Sequence, residues 1–118
     1  MREILQQLIF EGSVKETVKV GSFTFEIKTI DSEKHYSALS NSAVGDMFAR
    51  TFGLQLEVVG RALVSVNGII FESEKEALDF AYKLDKNIIY KLHEKYEELD
   101  KKVQEKFNEK VVEEIKNS

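Results

Sequence analysis

The sequence predicts an α+β fold: an N-terminal β-hairpin packed on a small helical bundle, with a long C-terminal helix. Three observations carry that prediction. Apolar and polar residues alternate over 14–28, apolar residues recur at helical spacing over 45–66, and a Lys/Glu-rich stretch with one apolar stripe runs from 86 to about 115. The chain holds no proline, so nothing in it interrupts a long helix.

In chain order, residues 2–10 suit a short helix, with Ile4, Leu5, Leu8 and Ile9 crowding one side. Val14, Val18 and Val20 then alternate with Lys15, Thr17 and Lys19, and Phe23, Phe25 and Ile27 with Thr24, Glu26 and Lys28. That is the period of two half-buried strands, and Gly21-Ser22 between them is a two-residue turn, so a hairpin is expected over about 13–28. A lone hairpin is marginal in water and needs helices or another strand against its apolar face. Thr29 or Asp31 caps the next helix, in which Tyr36 and Leu39 share a face, and residues 40–45 read as a break.

A second helix is expected over 45–66, with Met47, Phe48, Phe52, Leu56, Val59, Leu63 and Val66 on its apolar side. This should be the most buried helix. Gly53 and Gly60, seven apart within it, either mark a close approach by another backbone or are tolerated small residues. Asn67-Gly68 should end the helix in left-handed conformation. Ile69, Ile70 and Phe71 either pair with the hairpin or plug the core. Ser73 and Glu76 have capping-box spacing ahead of Ala77, Leu78, Ala81, Tyr82 and Leu84, and Asp85 can cap the last helix. At 1.5 Å per residue, roughly 30 residues make a helix of about 45 Å, longer than such a domain is wide. The expected organisation is one domain over 1–100, with 101–118 as the projecting end of that helix.

Composition limits what the chain does. At 118 residues it is the size of one domain, and 42% hydrophobic residues suffice for a core. The absence of cysteine excludes disulfides and thiolate metal sites, and fits a reducing compartment. A net charge of −4 argues against non-specific nucleic-acid binding. The N-terminal apolar run is broken by Gln6 and Gln7, and no stretch nears the ~20 apolar residues of a membrane helix, so no signal peptide and no membrane partner are expected.

Signals of catalysis are sparse. His35 and His93 are the only histidines, and His93-Glu94 lacks the second histidine of a zincin motif. No G-x-S-x-G elbow, P-loop or dinucleotide-binding glycine pattern occurs. Catalytic, cofactor and metal sites are therefore all expected to be none. Arg61 is a lone charge on the apolar second helix, placed either to snorkel at the core edge or to meet a partner.

The C-terminal helix carries Ile89, Leu92, Tyr96, Leu99 and Val103 at alternating steps of three and four, a short heptad seam. Val103, Phe107, Val111 and Ile115 continue it at steps of four, amid Lys and Glu. A stripe this thin adds little to a core. These four residues are the candidate partner-binding site, for another protein or a second copy, with Phe107 as main anchor.

The segment order has a resemblance. The hairpin Val18-Lys-Val-Gly-Ser-Phe-Thr-Phe25 leads to a capped helix at Thr29–Ser32, and the apolar helix ends in Arg61-Ala-Leu-Val-Ser-Val-Asn-Gly68. A capped helix at Ser73–Leu84 and Asp85-Lys-Asn-Ile-Ile-Tyr-Lys-Leu-His-Glu-Lys-Tyr96 follow. Over about 13–100 this resembles the tail-assembly chaperones and baseplate-hub assembly proteins of long-tailed bacteriophages. The resemblance implies a non-enzymatic protein of the infected host's cytoplasm that shields apolar segments of a tail or tape-measure protein until assembly. Some relatives of this shape stay in the virion as structural subunits. No active-site residues transfer, because the family has none.

Overall fold

The computed structural model describes residues 14–117, with side chains as far as Val112. The helix expected over 2–10 lies outside the described residues. Eight elements follow in order: β1 (Lys15–Val20), β2 (Phe23–Lys28), α1 (Ser32–Ser42), α2 (Met47–Ala62), β3 (Leu63–Val66), β4 (Ile69–Ile70), α3 (Glu74–Lys83) and α4 (Lys86–Asn117). The fold is α+β with a long C-terminal helix.

The expected hairpin forms about Gly21, whose φ of +62° is the left-handed conformation that glycine adopts without steric cost. Val20 pairs with Phe23 and Lys15 with Lys28, which turns Val18, Phe25 and Ile27 inward. The hairpin is not alone, however. It is half of a four-stranded antiparallel sheet ordered β1-β2-β3-β4.

The added strands correct the expected 45–66 helix. That helix stops at Ala62, and Leu63 turns extended (φ −65°, ψ 127°). Leu63–Val66 then pairs along β2, with Phe25 opposite Val66 and Ile27 opposite Leu63. β-branched Val64 and Val66 favour a strand once a free edge is available to pair with. Asn67 and Gly68 do take positive φ, +50° and +81°, but as the two-residue turn between β3 and β4 rather than as a helix end. Asn67 ties the turn to β2: its Oδ1 accepts from the Thr24 N–H at 2.8 Å, and its N–H donates to the Thr24 carbonyl at 2.7 Å. Ile69 and Ile70 pair with β3 and stay largely exposed, whereas Phe71 tilts against Phe80 with ring centroids 5.2 Å apart.

Side-chain acceptors start each helix, satisfying N–H groups that have no carbonyl one turn back. Asp31 accepts from Lys34, Asp46 from Ala49, and Ser73 from Glu76. Glu76 closes its side of the box one residue early, on the Glu72 N–H at 3.3 Å. Asp85 caps α4 through the Asn87 N–H at 2.8 Å. The buried residues form one core cluster: Val18, Phe25 and Ile27 of the sheet, Val58, Val59 and Ala62 of α2, and Ile89, Leu92, Tyr96 and Leu99 of α4, with Ala77 and Ala81 of α3 packed on the α2 side. The Tyr96 hydroxyl accepts from the Ile30 N–H at 3.3 Å, tying α4 to the entry of α1.

Burial along α2 is uneven. Its last six residues, Glu57–Ala62, are all buried, but Met47 and Phe48 of the first turn are 78% and 85% exposed. Both were expected on the core face. At 16 residues α2 is longer than the 11-residue α1 beside it; its first five residues, 47–51, are all exposed, and burial deepens through half-buried 52–56 to the last six.

Candidate protein-binding surface

Two polar features distinguish this fold, a cluster with a buried centre and an open groove. The cluster centres on Arg61, with Glu74 and Tyr82 partly exposed at its rim. Its Nη2 donates to Glu57 Oε1 at 3.0 Å and its Nη1 to Glu74 Oε1 at 2.6 Å, while the Tyr82 hydroxyl donates to Glu57 Oε2 at 2.7 Å. Glu57 and Arg61 are only 4% and 7% exposed, so Arg61 is held inside the fold rather than snorkelling to solvent. Charges this deep persist only when paired, and here each oxygen of Glu57 already has a donor. Burial, then the bond to Glu57, pushes the Tyr82 phenol up to about 12. The cluster fastens α3 to α2. The Glu57–Arg61 spacing of four marks a same-face helical pair, a signal that was present in the sequence.

The open feature is a groove of about 670 Å³ between α1, α2 and α4. His35, Tyr36 and Leu39 of α1 form one wall, Thr51, Leu54, Gln55 and Val58 of α2 another, and His93, Tyr96, Glu97, Asp100 and Gln104 of α4 the third. Ile30, Asp31 and Ser32 close one end. Its charges are one-sided: Asp31, Glu97 and Asp100 line it, with no lysine or arginine among the described lining residues. Gln55 Oε1 is buried there without a hydrogen-bond donor. An unmet buried acceptor costs free energy that an incoming donor would recover. His93 is half-buried in the α4 wall, and that burial lowers its pKa against the opposing pull of Glu97.

Apolar surface continues from the groove in two directions. On α2, Met47 lies one turn before Thr51 and two before Leu54, on the groove side, with Phe48 and Val44 exposed next to it. On α4, the lining positions 93, 97, 100 and 104 step onward to 107 and 111 in the same four-three rhythm. Of the four residues expected to bind a partner, Val103 is half-buried, Phe107 is 63% exposed and Val111 is exposed, while the Ile115 side chain lies outside the described residues. The structure therefore joins Phe107 and Val111 to the groove-facing side of α4. Sequence reasoning missed the groove itself and its residues Leu54, Gln55 and His93. It read Met47 and Phe48 as core, because helical spacing is the same whether a helix face meets its own domain or another chain.

No family model, curated protein or solved structure matches this chain. Among the described residues, no three His, Cys, Asp or Glu side chains come together as a metal cluster, and no helix is long and apolar enough to cross a membrane.

Proposed function

We propose that this protein acts by docking rather than by catalysis: it is an assembly factor of the phage tail or baseplate-hub kind that holds an apolar, cation-bearing segment of a tail protein until assembly. One observation carries the reading. The acid-lined apolar groove is continuous with exposed Met47 and Phe48 on one side and Phe107 and Val111 on the other. Contiguous exposed apolar surface of this kind marks interaction sites in soluble proteins. An amphipathic helix is the natural guest, its apolar face in the groove and its lysines or arginines against Asp31, Glu97 and Asp100. The resemblance of its sequence strings to the phage assembly family, which does not depend on where α2 ends, points to a tail or hub client, and the host cytoplasm is where such a factor would work.

The test is co-expression of the tagged chain with tail, tape-measure and baseplate-hub proteins, beside a Met47→Ser/Phe48→Ser variant. A stoichiometric complex that keeps the tail protein soluble, lost in the variant at unchanged melting temperature, is expected. Failure of every tail and hub segment to bind would reject the reading.

A further inference from the structure

The geometry points to a self-masked dimer in which the projecting end of α4 from each copy lies in the groove of the other. Three independent observations bear on this occupant. The first is continuity: Phe107 and Val111 extend the groove-lining face of α4 beyond the domain, so one helix carries both the groove wall and an apolar stripe that would fill an identical groove. The second is charge. The end of α4 from 101 to 118 holds five lysines against four glutamates and places Lys106 next to Phe107 and Lys110 next to Val111, whereas the groove presents Asp31, Glu97 and Asp100 without a basic lining residue. The third is Gln55 Oε1, a buried acceptor in the groove wall that meets no donor from its own chain.

Symmetry makes the arrangement close. In a two-fold dimer each contact occurs twice, residue i against j and j against i. If two antiparallel α4 helices cross near residue 102, Phe107 of each lies opposite position 97 of the other, each about 7.5 Å from the axis at 1.5 Å per residue. Half-buried Val103 then sits beside the axis, Lys106 falls between Glu97 and Asp100 of the second copy, and Lys110 lies about one turn beyond Glu97. The client of the assembly-factor reading would displace this arm, so the dimer rests on the same groove but not on the client's identity.

Sedimentation and light scattering across concentrations, together with charge-swapped mixtures, test the proposal. The wild-type chain should dimerise at micromolar concentration, and Phe107→Ser should weaken the dimer at least 10-fold with the melting temperature of the dilute protein unchanged. A groove variant (Glu97→Lys/Asp100→Lys) and an arm variant (Lys106→Glu/Lys110→Glu) should each be monomeric alone, since both contacts of either homodimer are repulsive. Mixed, they should form a heterodimer, since both its contacts are complementary. A monomeric wild-type chain, a dimer indifferent to Phe107→Ser, or variants that fail to associate on mixing would each overturn it. A wild-type monomer that still captures a tail segment would sink the dimer alone, and a dimer that captures none would sink the client alone.

Discussion

Consider alanine placed at each of the two glycines inside α2. A Cβ at Gly60 would lie 2.5 Å from Leu78 Cδ2, 3.1 Å from its Cγ and 3.0 Å from its Cα. The methyl can swing aside, but the Cα is backbone of α3, so the helix itself would have to retreat. It is held in place: Glu74 at its start is bonded to Arg61, and Tyr82 near its end to Glu57. Alanine gains about 1 kcal/mol over glycine in helix propensity, while overpacking of this kind costs about 1–3 kcal/mol. With α3 fastened at both ends, the high end of that cost applies, leaving Gly60→Ala destabilised by about 1–2 kcal/mol. At this chain length that is a loss of roughly 4–8 °C in melting temperature. Gly53 is the internal control, because a Cβ there would meet Ser42 Cβ at an ordinary 3.5 Å. Gly53→Ala should keep the propensity gain and melt higher by a few degrees. Calorimetry or circular dichroism on both variants reads the outcome. A Gly60→Ala protein as stable as wild type, or two variants shifted alike, would refute the claim that α2 and α3 touch through backbone at Gly60.

Three further outcomes are expected. Arg61→Met strands Glu57 in the interior and should cost about 3–5 kcal/mol in urea denaturation; Glu57→Met/Arg61→Met, which removes both charges, should cost less, and a double variant worse than the single would contradict this. Leu63→Ala, at a buried site, should cost about 2–5 kcal/mol, and half-buried Leu56→Ala distinctly less; equal losses would mean that β3 is misplaced. The third concerns His93, whose folded pKa lies below its ordinary 6.5. Above about pH 6.5 neither state binds the proton and its contribution to stability is whole. As pH falls through that value the unfolded chain is protonated first, so stability drops until the folded imidazole also titrates. His93→Gln should flatten the urea midpoint between pH 7 and the folded value, and a profile unchanged by the substitution would count against burial as the cause.

Strand alternation and helix caps could be read from the chain because they are local. The period of two over 14–28 specifies which side chains share a face, and Asp31, Ser73 and Asp85 start helices by bonding N–H groups two or three residues away. The heptad steps through Ile89, Leu92, Tyr96 and Leu99 likewise marked the face of α4 that is buried. Where a residue had two local uses, the chain left the choice open. Asn67-Gly68 needs positive φ both as a helix end and as a hairpin turn, and only the free edge of β2 made Leu63–Val66 a strand. Gly53 and Gly60 acquired distinct roles once α3 packed onto α2, and Arg61 its enclosure once Glu74, thirteen residues on, closed over it. The groove is a property of three helices whose lining residues lie up to about 70 positions apart, and which apolar residues line it depends on where those helices diverge. Helical period records that a face is apolar; whether that face is covered depends on the position of the other helices, which no local spacing encodes.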